Sequence, residues 1–451
     1  MNRRSIQMKK DLTRGSVTKN MLLFAAPMIL GNLLQQFYNI ADTLIVGQFL
    51  GPDALAAVGS AYTLMTFLTS ILIGMCMGSG ALFSYYFGKK EEKKMMDSMQ
   101  LSFLLTGGVT VLLNLLVMVL RRPILRILHV PEELMEMMHT YVWIIFLGIF
   151  FVFLYNYFAY LLRAVGNSVV PLYFLGSTAL LNIVLDLCFV TVCRWGIAGA
   201  AAATVIAQAV SGLGLMAYTW MKEPQLRFDM HSFTPEKGSA AEILRFAFSS
   251  SIQQSVMNFG ILMIQGLVNS FGAEVMAAFA AAVKIDSFAY MPAQEFGNAF
   301  SLFISQNYGA GQKKRVREGM RSAVRVSMLF CIFVSVLVFL SAPYLMLLFI
   351  SPEEAGIIAI GAGYLRIEGA FYCGIGTLFL LYGYYRGINR PEMSLVLTVI
   401  SLGTRVALAY ILAPVPQIGV VGIWSAIPIG WILADVTGIL YLRRAEGVAA
   451  N

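Results

Sequence analysis

Twelve apolar stretches, each long enough to cross a bilayer as a helix, follow one another along this chain, and they leave little room for any other kind of fold. They run approximately over residues 20–47, 54–87, 98–120, 134–160, 168–192, 196–221, 243–270, 274–307, 322–342, 356–385, 392–413 and 418–442. Composition agrees: 58% of the 451 residues are hydrophobic and only 12% carry charge, so nothing larger than a loop remains for a soluble domain. The expected class is an all-α polytopic membrane protein. The first twenty residues, with Arg3, Arg4, Lys9, Lys10, Arg14 and Lys19, have the basic character of a signal-peptide start. The apolar run that follows is too long for an h-region and lacks a small-residue cleavage site, so it is expected to stay as the first span.

Charge fixes an expected orientation. If the N-terminus lies in the cytoplasm, the cytoplasmic segments hold 24 Lys and Arg and the outer segments four, Arg121, Arg122, Arg126 and Arg194. Both termini are therefore expected on the cytoplasmic side. Arg121-Arg122-Pro123 argues against this and is read as part of an interfacial helix with His129. The net charge of +8 is explained by these loops, and no nucleic-acid partner is expected. The five cysteines, Cys76, Cys188, Cys193, Cys331 and Cys373, form no disulfide framework and no CxxC metal pair.

The polar stretch 222–240 cuts the chain into halves that match. Met21-Leu22-Leu23-Phe24-Ala25 recurs as Ile243-Leu244-Arg245-Phe246-Ala247, Ser84-Tyr85-Tyr86-Phe87-Gly88 as Ser305-Gln306-Asn307-Tyr308-Gly309, Arg163-Ala164-Val165-Gly166-Asn167 as Arg386-Gly387-Ile388-Asn389, and Gly196-Ile197-Ala198-Gly199 as Gly419-Val420-Val421-Gly422. Six is an even number of crossings, so both copies enter the membrane in the same direction. The expected organisation is an N-terminal lobe (1–221), a cytoplasmic linker (222–242) and a C-terminal lobe (243–451): two pseudo-symmetric six-helix bundles in a parallel repeat, with a substrate cavity and alternating access.

Inside the first half lie two carboxylates with no base to pair with. Gln35, Tyr38, Asn39 and Asp42 share one helical face in a run from Met21 to Val46 that holds no Lys or Arg. Asp42 lies five residues before Gly47, Asp186 eight before Arg194, and Thr204 eight after Gly196, so all three are within roughly 8–12 Å of the outer boundary at about 1.5 Å per residue. Asn182 is one turn before Asp186. Asp42, Asn182, Asp186 and Thr204 are the expected coupling group. Its oxygens suit a hard monovalent cation such as Na⁺, and its paired carboxylates suit a proton; the residues leave both open. Gln35, Tyr38, Asn39, Tyr141, Asn156 and Gln208 are candidate substrate contacts, with ordinary interhelical hydrogen bonds as the alternative for each. In the second half Asp286, Glu295, Glu368 and Asp435 share the interior with Lys284, Arg366 and Arg405. Structural ion pairing is the expectation there, with Asp286 and Glu295 as secondary candidates. Pro27, Pro292 and Pro428 allow bends in their helices.

These residues resemble the multidrug and toxic compound extrusion (MATE) transporters, particularly the DinF-like bacterial branch. The likeness rests on Gln35-Gln36-Phe37-Tyr38-Asn39-Ile40-Ala41-Asp42 with Val46-Gly47, on Arg163-Ala164-Val165-Gly166-Asn167, on Leu181-Asn182-Ile183-Val184-Leu185-Asp186, on Gly196-Ile197-Ala198-Gly199-Ala200-Ala201, and on Gln306-Asn307-Tyr308-Gly309-Ala310-Gly311. It covers the whole chain. The resemblance implies a V-shaped pair of lobes in the bacterial cytoplasmic membrane, acting as a monomer and expelling lipophilic, often cationic, drug-like compounds in exchange for inward Na⁺ or H⁺, with no other cofactor. It carries coupling roles onto Asp42, Asn182, Asp186 and Thr204, and drug contacts onto Gln35, Tyr38, Tyr141 and Asn156. Branches with essential acids in spans seven and ten find no clear match, because span seven offers Gln253, Gln254 and Gln265 and span ten only Glu368. A flippase for lipid-linked or other amphiphilic substrates is the alternative, but the first-half interior lacks the bases that would hold a pyrophosphate. An enzyme is not expected, since no HExxH or GxSxG lies in a span.

Overall fold

The computed structural model describes residues 11–127, 132–228 and 233–448. His129 and the basic residues Arg3, Arg4, Lys9 and Lys10 lie outside them. The first half builds α1 (Val17–Leu50), α2 (Pro52–Lys89), α3 (Glu92–Ile127), α4 (Glu132–Leu147), α5 (Ile149–Ala164), α6 (Val169–Leu187) with a π turn (Cys188–Val192), and α7 (Gly196–Lys222). The second half builds α8 (Ser239–Asn269), α9 (Ala273–Gly309), α10 (Lys313–Met346), α11 (Ala355–Gly369), α12 (Tyr372–Gly387), α13 (Pro391–Leu412) and α14 (Val420–Val448).

Among the described residues, nine helical segments are each long and apolar enough to cross a membrane, and the bent pairs α4–α5 and α11–α12 supply two more. With α8, whose serines and glutamines make it less apolar, helices occupy all twelve predicted positions. The chain is a multi-pass membrane protein. The sharp breaks are not at the prolines. The helices run on through Pro27, Pro292 and Pro428, whereas the pairs bend by 40° and 51° at Gly148 and at Ala370–Phe371.

The backbone repeats more faithfully than the side chains. The left-handed residues fall into mates 221 to 223 positions apart: Gly15 with Gly238, Gly51 with Gly272, Lys90 with Gly311, Gly166 with Asn389, and Gly196 with Gly419. Each marks a tight turn that only a positive φ can close, so two of them hold side chains at some cost in strain. Arg194, at φ 55°, has no left-handed mate among the described residues.

Two compact units result. One runs from Ala26 to Ser251; the other joins Leu12–Ala25 to the chain from Ile252 onward. In the first, Phe103, Tyr157 and Phe158 pack around Phe228, which the segment after α7 inserts among them. The Tyr86 hydroxyl donates to Glu242, and Lys94 pairs with Glu236 at 3.3 Å. In the second, Asn307 donates to the Leu12 carbonyl at 3.2 Å, and Arg315 donates to the carbonyls of Leu12, Arg14 and Gly15 at 2.6–3.3 Å. Tyr86 and Asn307 are repeat mates, as are Lys94 and Arg315, so one pair of positions holds the arm leading into each half.

Candidate functional site

Six helices of the unit Ala26–Ser251 enclose a cavity of about 300 Å³. Helical spacing aims the side chains. On α1 the face Gln35, Tyr38, Asn39 and Asp42 turns inward; on α7 Thr204, Gln208 and Ser211 do so at i, i+4 and i+7. The break at Gly148 lets one crossing present Tyr141 and Ile145 from α4 and Val152, Tyr155 and Asn156 from α5. A Cβ at Gly148 would collide with the Gln208 side chain, so the glycine admits α7 as well as the bend.

All the first-half candidates line this cavity except Asp186, which lies behind it at 0% exposure. Asp186 and Asp42 bring their carboxyl groups side by side, and the Tyr38 hydroxyl lies near that of Thr204. The Asn182 amide has one orientation that avoids facing oxygen toward carboxylate. In it, Nδ2 donates to Asp186 Oδ2 at 2.7 Å and Oδ1 accepts from the Thr204 N–H at 3.2 Å. The Thr204 hydroxyl donates to the Ala200 carbonyl at 3.1 Å. Asp186 Oδ1 then meets no donor. Its neighbour is another carboxyl group, so the arrangement is one positive charge short: like charges this close cannot both stay ionised without a proton or a cation between them.

The remaining walls mix apolar side chains with polar ones that carry no formal charge. Asn156 donates Nδ2 to the Val152 carbonyl at 2.9 Å, leaving its oxygen for the cavity, and Gln208 Oε1 has no partner. Asn39 donates to the Tyr62 hydroxyl at 3.4 Å. Tyr62, with Met65, Thr66 and Thr69, forms a wall on α2 that the sequence reading passed over. The signal was available, because Tyr62, Thr66 and Thr69 follow the i, i+4, i+7 rule that picked out α1.

The second-half candidates do not sit together. Asp286 is buried in a smaller cavity of about 80 Å³ with Glu368, Arg405, Tyr290 and Tyr364, and it accepts a hydrogen bond from the Tyr372 hydroxyl at 2.7 Å. Glu295 lies elsewhere on α9 and accepts from Asn298 on its own helix at 3.3 Å. The expected compensation of four acids by three bases is corrected. Lys284 and Arg366 are exposed and lie 6.0 Å from the ring centroids of Phe349 and Phe339, so of the three bases only Arg405 shares the acids' cavity. Charged side chains on a helix face can reach outward only where their stems point outward, and sequence spacing alone did not reveal that.

The family model MatE matches this chain twice, over residues 27–188 and 247–411. The chain belongs to the MatE family. The second match begins 220 residues after the first, close to the spacing of the repeat read from the sequence. Members of this family are transporters and not enzymes. Among curated relatives, the chain is similar to a probable multidrug resistance protein, YpnP, of Bacillus subtilis, with 32% identity over 87% of each chain. It is also similar to a probable multidrug resistance protein, NorM, of Thermotoga maritima, with 26% identity over 95% of this chain and 93% of the relative. A crystal structure of MATE in the bent conformation superposes over the whole of both chains with a TM-score of 0.91 at 23% identity. An outward-facing multidrug resistance MATE family transporter does so over 97% of each with a TM-score of 0.88, also at 23% identity. These likenesses confirm the fold of the MatE chain.

Proposed function

We propose that this MatE-family protein is a secondary-active multidrug exporter of the bacterial cytoplasmic membrane, with both termini in the cytoplasm. It moves lipophilic, cationic organic compounds outward in exchange for an inward cation. The observation that carries the reading is the Asp42–Asp186 carboxyl contact, which lacks a base and has Asp42 in the wall of an organic-sized cavity. Among the described residues, Asp42 is the only formally charged one in that lining. Tyrosines, amides and apolar groups such as Met65, Ile73 and Phe151 make up much of the rest, a surface suited to a flat cation with an apolar body. Charge supplied at the carboxyl pair and charge on the substrate compete for the same carboxylates, and that competition is what obliges exchange.

The oxygen set of Asp42, Asn182, Asp186 and Thr204 admits either H⁺ or Na⁺. The Asn182 orientation that satisfies both ends of the amide, with N–H toward Asp186 and oxygen toward the Thr204 backbone, favours H⁺. The opposite orientation turns the amide oxygen toward the carboxyl and is the one that Na⁺ requires. The names of the curated relatives favour drug export over lipid flipping, as does the absence of Lys and Arg from the cavity lining.

The deciding experiment uses the purified protein in proteoliposomes, with an imposed pH or Na⁺ gradient and ethidium or a fluoroquinolone as trial substrate. Transport driven by the pH gradient without Na⁺ is expected. Transport that follows only the Na⁺ gradient moves the coupling to Na⁺, and no transport under either gradient removes the exchange mechanism.

A further inference from the structure

Among the described residues, the first half departs from its repeat just beyond Asp186. There α6 passes into a π turn, Cys188–Val192, closed by the Cys193 N–H donating to the Cys188 carbonyl at 2.9 Å. Arg194 follows in the left-handed region, and the Trp195 N–H donates to the Phe189 carbonyl at 2.9 Å. At the corresponding place in the second half α13 ends at Leu412 and runs out in turns. A π turn widens the helix by one residue; such turns are rare and are frequently found at functional sites.

Its effect here is specific. Residues five apart come round toward one another, so Cys188 and Cys193, joined by the backbone hydrogen bond that closes the turn, set their thiols close together. Both cysteines are free, Cys193 is exposed and Cys188 is half-buried. In a regular α-helix, positions five apart point in different directions. The Phe189 and Trp195 rings stack with centroids 4.7 Å apart and tie the turn to the start of α7.

We propose that Cys188 and Cys193 form a dithiol site that a small-molecule disulfide closes into an intramolecular disulfide, fixing the π turn at the end of α6. In the reaction one thiolate attacks a sulfur of the external disulfide and releases one thiol. The second cysteine then attacks the mixed disulfide at the first and displaces the other. The two cysteines lose two protons and two electrons, and the reagent is reduced to two thiols. Cys193 is the entry point because it is accessible. The chain segment so restrained joins α6, which carries Asn182 and Asp186, to α7. The proposal is independent of the transport reading.

The test treats the purified full-length protein in detergent with 2-hydroxyethyl disulfide, then alkylates the remaining thiols and maps the peptides by mass spectrometry. The expected product is a bridge between Cys188 and Cys193 that dithiothreitol reopens and that Cys188→Ser and Cys193→Ser each abolish. Hydrogen exchange across residues 186–196 is expected to slow several-fold in the bridged protein. Two outcomes overturn the proposal: a stable mixed adduct on Cys193 with Cys188 still alkylatable, or a bridge that leaves exchange unchanged.

Discussion

At the scale of single residues, the pair Asp42 and Asp186 differs from the acids of the second half in what surrounds it. Asp286 has a hydroxyl donor in Tyr372 and shares its cavity with a guanidinium, whereas Asp186 receives one amide N–H and leaves an oxygen facing another carboxyl group. Substituting Asn for either member keeps the shape but removes the ability to take up and release a positive charge. Asp42→Asn and Asp186→Asn are therefore each expected to abolish substrate efflux with normal membrane expression, and wild-type rates in both would remove the pair from the coupling role. Glu295→Gln is expected to be milder, since Glu295 is half-buried and bonded within its own helix. A defect in efflux deeper than that of the Asp42 variant would relocate the coupling. The i, i+4 spacing of Asn182 and Asp186, and the polar face of α1, were legible in the sequence because helical periodicity dictates them. The orientation of the Asn182 amide was not, since it depends on the Thr204 backbone that α7 brings to it as well as on Asp186.

Among the elements, glycine decides how closely helices approach. In the unit completed by Ile252 onward, a Cβ on Gly383 of α12 would fall well inside contact distance of the Gly297 carbonyl on α9, and a Cβ on Gly297 would lie 2.8 Å from the Phe379 carbonyl. Backbone against backbone leaves no flexible side chain to yield. Gly383→Ala is expected to cost about 1–3 kcal/mol as overpacking, visible as a lower thermal unfolding midpoint in detergent. Gly363→Ala, on α11 where an added Cβ meets nothing within 4 Å, is expected to hold or raise the midpoint. Equal midpoints for the two variants would show that the close crossing of α9 and α12 relaxes without penalty. Small residues at helix interfaces could be anticipated from their spacing. Which glycine faces a neighbouring backbone, and that the sharp bends fall at Gly148 and at Ala370–Phe371, depends on contacts between distant parts of the chain.

Over the whole molecule, the repeat organises more than topology. Lys94 and Arg315 stand at equivalent positions and hold the arms that lead into the two halves, one through a carboxylate and the other through backbone carbonyls. Arg315→Ala is expected to release the segment around Leu12 to Gly15 and to speed limited proteolysis there, with the rest of the chain still resistant. An unchanged cleavage rate would mean that Asn307 and the burial of Leu12 suffice. By itself the sequence determined the twelve crossings, the doubled six-helix plan and the two acids without a base, because hydropathy, periodicity and charge are properties of the chain that need no partner. Tertiary structure decided which of these residues meet. It brought Asp42 to Asp186, turned Lys284 and Arg366 away from the second-half acids, and set two cysteines side by side on a π turn. Such meetings depend on helix bends and helix rotations, which arise from packing between segments far apart in sequence and leave no local pattern to read.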